Sequence, residues 1–289
     1  MILGALETGG TKMVCAIGNE KGEVFEKLTC PTLNPGETLE TIAEFFENKN
    51  IEALGIGSFG PVCLDKNNPK YGFVTSTPKP GWADTDVAGF FERRLKVPVG
   101  FDTDVNAAAI GEVTYGGCQD VDSMIYITIG TGIGVGVYID GRLVHGMLHP
   151  EAGHILVKRH DKDDFEGGCP FHQSCLEGMA AGPAIEKRFG KRAETLYDNP
   201  FVWELESYYI AQALVDYCLC YSPRRIVLGG GVINKDGLIE MIRKDFTKIM
   251  SEYIQSDELR EIDKYIVLST LKGEQGIKGC LKIALDARV

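Results

Sequence analysis

The feature that most constrains this chain is a pattern it contains twice. Residues 2–25 read as an apolar run, Glu7-Thr8-Gly9-Gly10-Thr11, a second apolar run, Gly18-Asn19-Glu20-Lys21-Gly22 and a third apolar run. Residues 124–144 repeat it: apolar run, Gly130-Thr131-Gly132, apolar run, Asp140-Gly141, apolar run. Short apolar runs separated by Gly-rich turns spell a three-stranded meander. One meander in each half predicts a duplicated domain whose two Gly/Thr turns meet across a cleft. Glycine lets backbone N–H groups come close to phosphate oxygens, and threonine adds a hydroxyl donor. Two plain hairpins would share the apolar pattern, but threonine beside glycine in both turns favours phosphate-facing loops.

Length agrees with a duplication. The chain has 289 residues, room for two domains of about 100–150 residues each. The expected division is 1–115, rejoined by a C-terminal helix at about 275–289, and 116–274 with an irregular insertion at 145–178. Hydrophobic residues are 44% and charged residues 25%, as in ordinary soluble domains. The net charge of −11 argues against nucleic acid or an anionic membrane as a partner. No apolar run approaches the roughly 18 residues of a membrane span. The N-terminus enters a strand at Ile2 without a signal-peptide pattern or room for a DNA-binding helix pair. Five of the nine cysteines (Cys15, Cys30, Cys63, Cys118, Cys280) are scattered singly, the usage of a reducing cytoplasm. Cys218 and Cys220, in an apolar helical stretch, are expected in the core.

After the first meander, periodicity predicts a helix over 37–48, a strand over 51–57, loops over 58–82, a helix over 85–95, a strand over 97–101 and a helix over 107–113 capped by Asn106. The order βββαβαβα gives a mixed sheet with helices on both faces. The second half repeats βββαβα: meander, insertion, helix over 202–220, strand over 225–228, helix over 238–252 and strand over 265–268. A last helix over 275–285 is placed to cross back to the first half.

Three motifs carry chemistry. A Walker A loop is excluded, because Gly4-x-x-x-x-Gly9 is followed by Gly10 rather than lysine. Gly55-x-Gly57-x-x-Gly60 follows a strand, but Pro61 stands where a dinucleotide-binding helix would open, and no βαβ unit is evident. ATP held between the hairpin loops fits better, with Gly229-Gly230-Gly231 letting an adenosine lie against backbone. Asp102 and Asp104 sit two apart at a strand end, on one face and on the side where open α/β sheets bind ligands. A carboxylate there can take a hydroxyl proton during phosphoryl transfer; the spacing equally allows one Asp to cap a helix and the other to be solvated. Finally, Cys169-x-x-His172-x-x-Cys175, with His154 upstream, offers four ligands for a closed, structural Zn²⁺ site. Chance clustering and a disulfide are the alternatives, the latter disfavoured in a cytoplasmic chain. His145, His149 and His160 are expected on the surface or in loops.

Glu7-Thr8-Gly9-Gly10-Thr11, Gly57-Ser58-Phe59-Gly60-Pro61, Asp102-Thr103-Asp104-Val105-Asn106, Ile129-Gly130-Thr131-Gly132, Glu151-Ala152-Gly153-His154, Cys175-Leu176-Glu177-Gly178 and Gly229-Gly230-Gly231 occur in the order found in ROK (repressor, open reading frame, kinase) sugar kinases. Over its whole length the chain resembles that family, and most of all its zinc-containing bacterial fructokinases. The resemblance implies an α/β, duplicated, actin-like (ribonuclease H-like) two-domain ATPase fold with a cleft between the domains. It implies ATP-dependent phosphorylation of a hexose, with ATP, Mg²⁺ and structural Zn²⁺ as cofactors, in a cytoplasmic homodimer. Carried over position by position, Asp104 matches the catalytic base. Gly60, Lys79, Thr103, Glu151, His154 and Glu177 fall at sugar-binding positions. Gly9, Gly10, Thr11, Lys12, Thr131, Gly132, Gly230 and Gly231 fall at nucleotide positions, and His154, Cys169, His172 and Cys175 at the zinc ligands.

Four departures bear on specificity. Glu7 stands where most members have Asp, Thr103 replaces the usual Asn, and Lys79 replaces a sugar-binding Asn of the glucokinases. The zinc motif reads C-x-x-H-x-x-C-x-E instead of C-x-C-G-x-x-G-C-x-E. These features resemble the fructokinase subgroup and point to D-fructose phosphorylated at O6. Mannose, glucose or another hexose is the alternative substrate. The competing classes are a sugar-responsive regulator, which in this family carries an N-terminal winged helix, and a zinc hydrolase, which needs an open ligand position.

Overall fold

The computed structural model describes residues 1–288. The first half contains β1 (Leu3–Thr8), β2 (Lys12–Gly18), β3 (Val24–Pro31), α1 (Pro35–Phe46), β4 (Leu54–Ser58), β5 (Phe73–Val74), β6 (Thr85–Asp86), α2 (Val87–Leu95), β7 (Val99–Thr103) and α3 (Asp104–Tyr115). The second contains β8 (Met124–Ile129), β9 (Ile133–Ile139), β10 (Arg142–Leu143), α4 (Leu176–Ala180), α5 (Gly182–Phe189), α6 (Pro200–Tyr221), β11 (Arg225–Gly229), α7 (Leu238–Met250), α8 (Asp257–Arg260), α9 (Ile262–Tyr265), β12 (Ile266–Leu268) and α10 (Gln275–Asp286).

The repeat seen in the sequence is a repeat of topology. One five-stranded sheet runs β3-β2-β1-β4-β7 and the other β10-β9-β8-β11-β12. In each, an antiparallel meander is continued by two parallel strands beside its first strand. The strands β1 and β8 at the centres are buried almost throughout, which is why they read as unbroken apolar runs rather than alternating ones. Leu6 faces a core with α1 and α2, whereas Leu3 and Ala5 face α10. No helix among the described residues is long and apolar enough to cross a membrane.

Helix α10 does cross back, packing on α3, β1 and β4. Glycines permit the close approach. A Cβ on Gly279 would lie 1.6 Å from the Ala107 carbonyl oxygen, and one on Gly55 would lie 1.9 Å from that of Cys280. Tight contact of α3 with α10 holds the start of α3, and so Asp104, against the end of the first sheet.

Several boundaries differ from the sequence reading, each through a cap or a turn. Helix α1 starts at Pro35 because Asn34 caps it, and α2 at Val87 because Asp86 does. Helix α3 starts three residues before the expected 107: Thr103, not Asn106, is its cap, with Oγ1 accepting from the Asn106 N–H at 3.1 Å. Strand β7 therefore ends at Thr103, and Asp104 is the first helical residue rather than a strand residue sharing a face with Asp102. Tyr265 closes α9 instead of opening the last strand. Helix α5 was not anticipated, and Cys220 is exposed, not in the core. A βαβ unit does surround Gly55 and Gly57, since β4 and β7 are parallel and joined through α2.

Candidate active site and metal centre

The corner between β7 and α3 sorts its two aspartates. Asp102 is turned inward: Oδ1 accepts from the Thr103 N–H at 2.7 Å and the Asn106 amide at 2.6 Å. Its Oδ2 pairs with His145 Nε2 at 3.0 Å, and this pairing raises the histidine's pKa. Asp102 is thus neither solvated nor a helix cap. Asp104 is left facing the cleft, with Oδ1 accepting from the Val105 N–H at 2.9 Å. Burial first, then the charges of Glu7 and Glu151, push its pKa up to about 7. Glu7 is itself raised by burial, which outweighs the lowering by Lys12 and Lys27. Removing ionised carboxylates from water favours their protonated forms, and neighbouring carboxylates add repulsion.

A cavity of about 330 Å³ brings together Gly60, Thr103, Asp104, His149, Glu151 and Glu177 with the Gly130-Thr131-Gly132 turn. A second cavity, of about 390 Å³, lies on the other side of that turn, against Gly182, Tyr197, Trp203 and Gly231. Both are lined by Gly130 and Thr131. Two concave sites of ligand size therefore meet at one Gly/Thr loop. Gly230 makes the join possible: its φ is +92°, and a Cβ there would stand 2.3 Å from the Ile129 carbonyl oxygen. Gly231 has open space where a Cβ would be.

The first loop, Gly9 to Thr11, links β1 to β2, which opens at Lys12. Thr32 anchors it, donating from Oγ1 to the Gly9 carbonyl at 2.6 Å and from its N–H to the Thr11 carbonyl at 3.0 Å. Lys79 does not line the 330 Å³ cavity; its Nζ donates to the Gly10 carbonyl. Geometry places that cation on the first loop rather than beside Glu151.

The four sequence-predicted metal ligands converge. One ligand atom from each of His154, Cys169, His172 and Cys175 lies within 4.8 Å of the others. His154 Nδ1 is 3.5 Å from Cys175 Sγ and 3.8 Å from Cys169 Sγ, and Cys169 Sγ is 3.7 Å from His172 Nδ1. A tetrahedron with Zn–N and Zn–S arms of about 2.0–2.3 Å has edges of about 3.3–3.8 Å, and these three separations fall in that range. The other nitrogen of His154, Nε2, is 3.9 Å from Glu177 Oε1. Metal centre and cavity wall are one connected structure.

The three histidines outside the metal cluster all lie in loops, as expected, and His145 is exposed, but two of them make contacts that the sequence does not show. His145 is the partner of Asp102, and His149 is buried, accepting from the Val62 N–H at 3.2 Å. His160, part-buried in its own loop, sets its ring edge-on to Tyr208. The available signal was position: His149 directly precedes Pro150-Glu151 at the head of the Glu151-to-His154 motif.

The ROK family model matches residues 3–287. The chain belongs to the ROK family. Among its relatives, a protein of Bacillus subtilis (strain 168) named putative fructokinase is 48% identical over 287 residues, covering 99% of this chain and 96% of that one. The fructokinase of Pediococcus pentosaceus is 43% identical, covering 99% of each. The crystal structure of a ROK family glucokinase from Streptomyces griseus in complex with glucose and AMPPNP superposes with a TM-score of 0.77 at 25% identity, covering 99% of this chain and 100% of that one. With ROK membership, the paired sheets are the duplicated, actin-like fold of these sugar kinases.

Proposed function

We propose that this ROK protein is an ATP-dependent hexose kinase that converts D-fructose to fructose 6-phosphate. The observation that carries the reading is the shared wall: a polar cavity holding Asp104 and a second cavity suited to a nucleoside both open onto the Gly130-Thr131-Gly132 turn. A nucleotide in the larger cavity would present its terminal phosphate at that turn, within reach of a sugar hydroxyl beside Asp104. Fructose, rather than glucose, is favoured by the names of the full-length relatives at 43–48% identity. Hexose contacts are assigned to Gly60, Thr103, Asp104, Glu151, His154 and Glu177. Phosphate and nucleoside contacts are assigned to Gly9, Gly10, Thr11, Lys12, Thr131, Gly132, Gly230 and Gly231.

In this mechanism Asp104 takes the proton from O6 as that oxygen attacks the γ-phosphorus in line, and ADP departs with the bond to the β–γ bridging oxygen. A base with a pKa of about 7 is matched to work near neutrality. Backbone N–H groups of the two loops stabilise charge on the transferred group. Mg²⁺ carried by the nucleotide would supply further charge neutralisation near Asp104 and Glu7, carboxylates close enough for the charge of Glu7 to act on Asp104. His154, Cys169, His172 and Cys175 would hold Zn²⁺, whose role would be structural, bracing the segments that carry Glu151 and Glu177. Units 1–115 with 275–289, and 116–274, close on the substrates and exclude water that would hydrolyse ATP. A cytoplasmic homodimer is part of the same reading, and sedimentation of the purified chain tests the dimer.

The test is ADP release from Mg-ATP with fructose, mannose, glucose or no sugar. Turnover with fructose well above the others is expected. A stronger response to another hexose moves the specificity, and no sugar-dependent turnover from folded, zinc-loaded protein overturns the kinase.

A further inference from the structure

One wall of the cavity beside Asp104 is made by two segments far apart in sequence. The Gly60 turn comes from the first half, between β4 and β5, and the 149–151 segment comes from the insertion of the second. Their meeting rests on His149. Its side chain is 4% exposed, and Nε2 accepts the Val62 N–H at 3.2 Å. An Nε2 that accepts leaves the ring proton on Nδ1, the nitrogen 3.6 Å from Glu151 Oε1. The ring also shapes the turn it holds. A Cβ on residue 60 would lie 3.2 Å from His149 Cε1 and 3.5 Å from Glu151 Oε1, so glycine there lets turn, imidazole and carboxylate stack in one layer.

Val62 is no loose end. It is fully buried, bridges to Val74, and its neighbour Pro61 accepts from the Thr75 N–H at 2.8 Å and from Thr75 Oγ1 at 2.9 Å. Fastening Val62 therefore fastens the short β5–β6 hairpin behind it. Burial keeps the imidazole neutral by lowering its pKa, which leaves the Nε2 lone pair free to accept.

We propose that His149 is a positioning residue for the hexose subsite: as a neutral hydrogen-bond acceptor it ties the Gly60–Val62 turn to Glu151 across the cleft, and so sets the affinity for the sugar. This rests on the hexose-kinase reading. Losing the acceptor leaves a buried N–H unpaired and frees the turn from Glu151, so the sugar must order that wall on binding. The nucleoside cavity does not include His149, so ATP binding is expected to be spared.

The test compares wild type with His149→Phe, which keeps a ring but has no acceptor, and His149→Gln, whose amide oxygen can reach the place of Nε2. For His149→Phe the fructose KM should rise about tenfold or more, with the ATP KM, kcat and zinc content each within about threefold of wild type. His149→Gln should recover most of the fructose KM. An unchanged fructose KM in His149→Phe overturns the proposal. So does a parallel loss for fructose and ATP with a lowered melting temperature, which marks a merely structural residue. If His149→Phe does not fold, His149→Gln decides alone: a near-wild-type fructose KM supports the acceptor role, and a KM as high as tenfold up refutes it. Wild-type protein without turnover on any hexose would sink the kinase reading and this inference together, whereas active wild type with indifferent variants sinks only the role of His149.

Discussion

The Ile133 backbone N–H donates a hydrogen bond to Glu177 Oε2 at 3.0 Å, joining the strand that leaves the second Gly/Thr loop to the helix that follows the metal centre. Gly132 is needed for the approach, since a Cβ there would meet the same oxygen at 2.8 Å. One carboxylate thus borders the cavity, braces the loop and neighbours His154. Glu177→Ala is expected to lower kcat/KM for fructose by about 10- to 100-fold and to raise the ATP KM as well, on the scale of a lost hydrogen bond to a charged group. Glu177→Gln keeps an acceptor and should lose less. Steady-state kinetics with both substrates varied would check the order.

Asp104→Asn should leave the melting temperature and zinc content near wild type while cutting kcat by about 10²–10⁴-fold, the usual contribution of a positioned base. Retained turnover would remove Asp104 from the catalytic role. Asp102→Asn, by contrast, disturbs the Thr103 and His145 contacts and should lower thermal stability along with activity.

The carboxyl of Asp104 must be ionised to act, and its pKa is raised to about 7 by burial, Glu7 and Glu151. Activity should therefore climb as pH rises through about 7 and level off above it. The kcat/KM profile is the one to follow, because it reports the free enzyme. Glu7→Gln removes one source of repulsion, so the ascending limb should move to lower pH even if the rate falls. A limb that stays put, or moves upward, refutes the coupling between these two residues.

Cys175→Ser and Cys169→Ser should each reduce bound zinc, measured by atomic absorption, and raise the fructose KM, because His154 is held by the same cluster that it helps to form. Prolonged chelation of wild-type protein should reproduce both effects. Unchanged metal content in both variants would reject these ligands.

Gly279→Ala places a methyl group 1.6 Å from the Ala107 carbonyl oxygen. Relief requires α10 and α3 to separate, and overpacking of this kind costs about 1–3 kcal/mol or more. A melting temperature lower by several degrees in calorimetry is expected, together with reduced turnover, since α3 begins at Asp104. A wild-type melting temperature would mean that the helices yield without cost.

Much of the fold was legible because it rests on local pattern. The duplicated meander and most helices and strands, the last helix among them, follow from apolar periodicity, which reports which faces must leave water. The metal cluster was legible because three of its ligands lie within seven residues, Cys169 to Cys175. Boundaries were less so. Thr103 and Asn106 are both able to cap a helix, and choosing between them needs the backbone direction at the end of β7.

What the sequence by itself determined was therefore the repeat, the Gly/Thr turns, the acidic strand end and the Cys/His set, all written in short spans with a physical period or spacing. Tertiary structure alone decided which residue of each set does what. Asp102 turns inward because Asn106 and His145 meet it, leaving Asp104 to the cleft. Lys79 goes to Gly10, and His149 reaches Val62, 87 residues earlier in the chain. Such pairings depend on how two sheets and an insertion pack together, and contacts between distant segments leave no period in a single sequence.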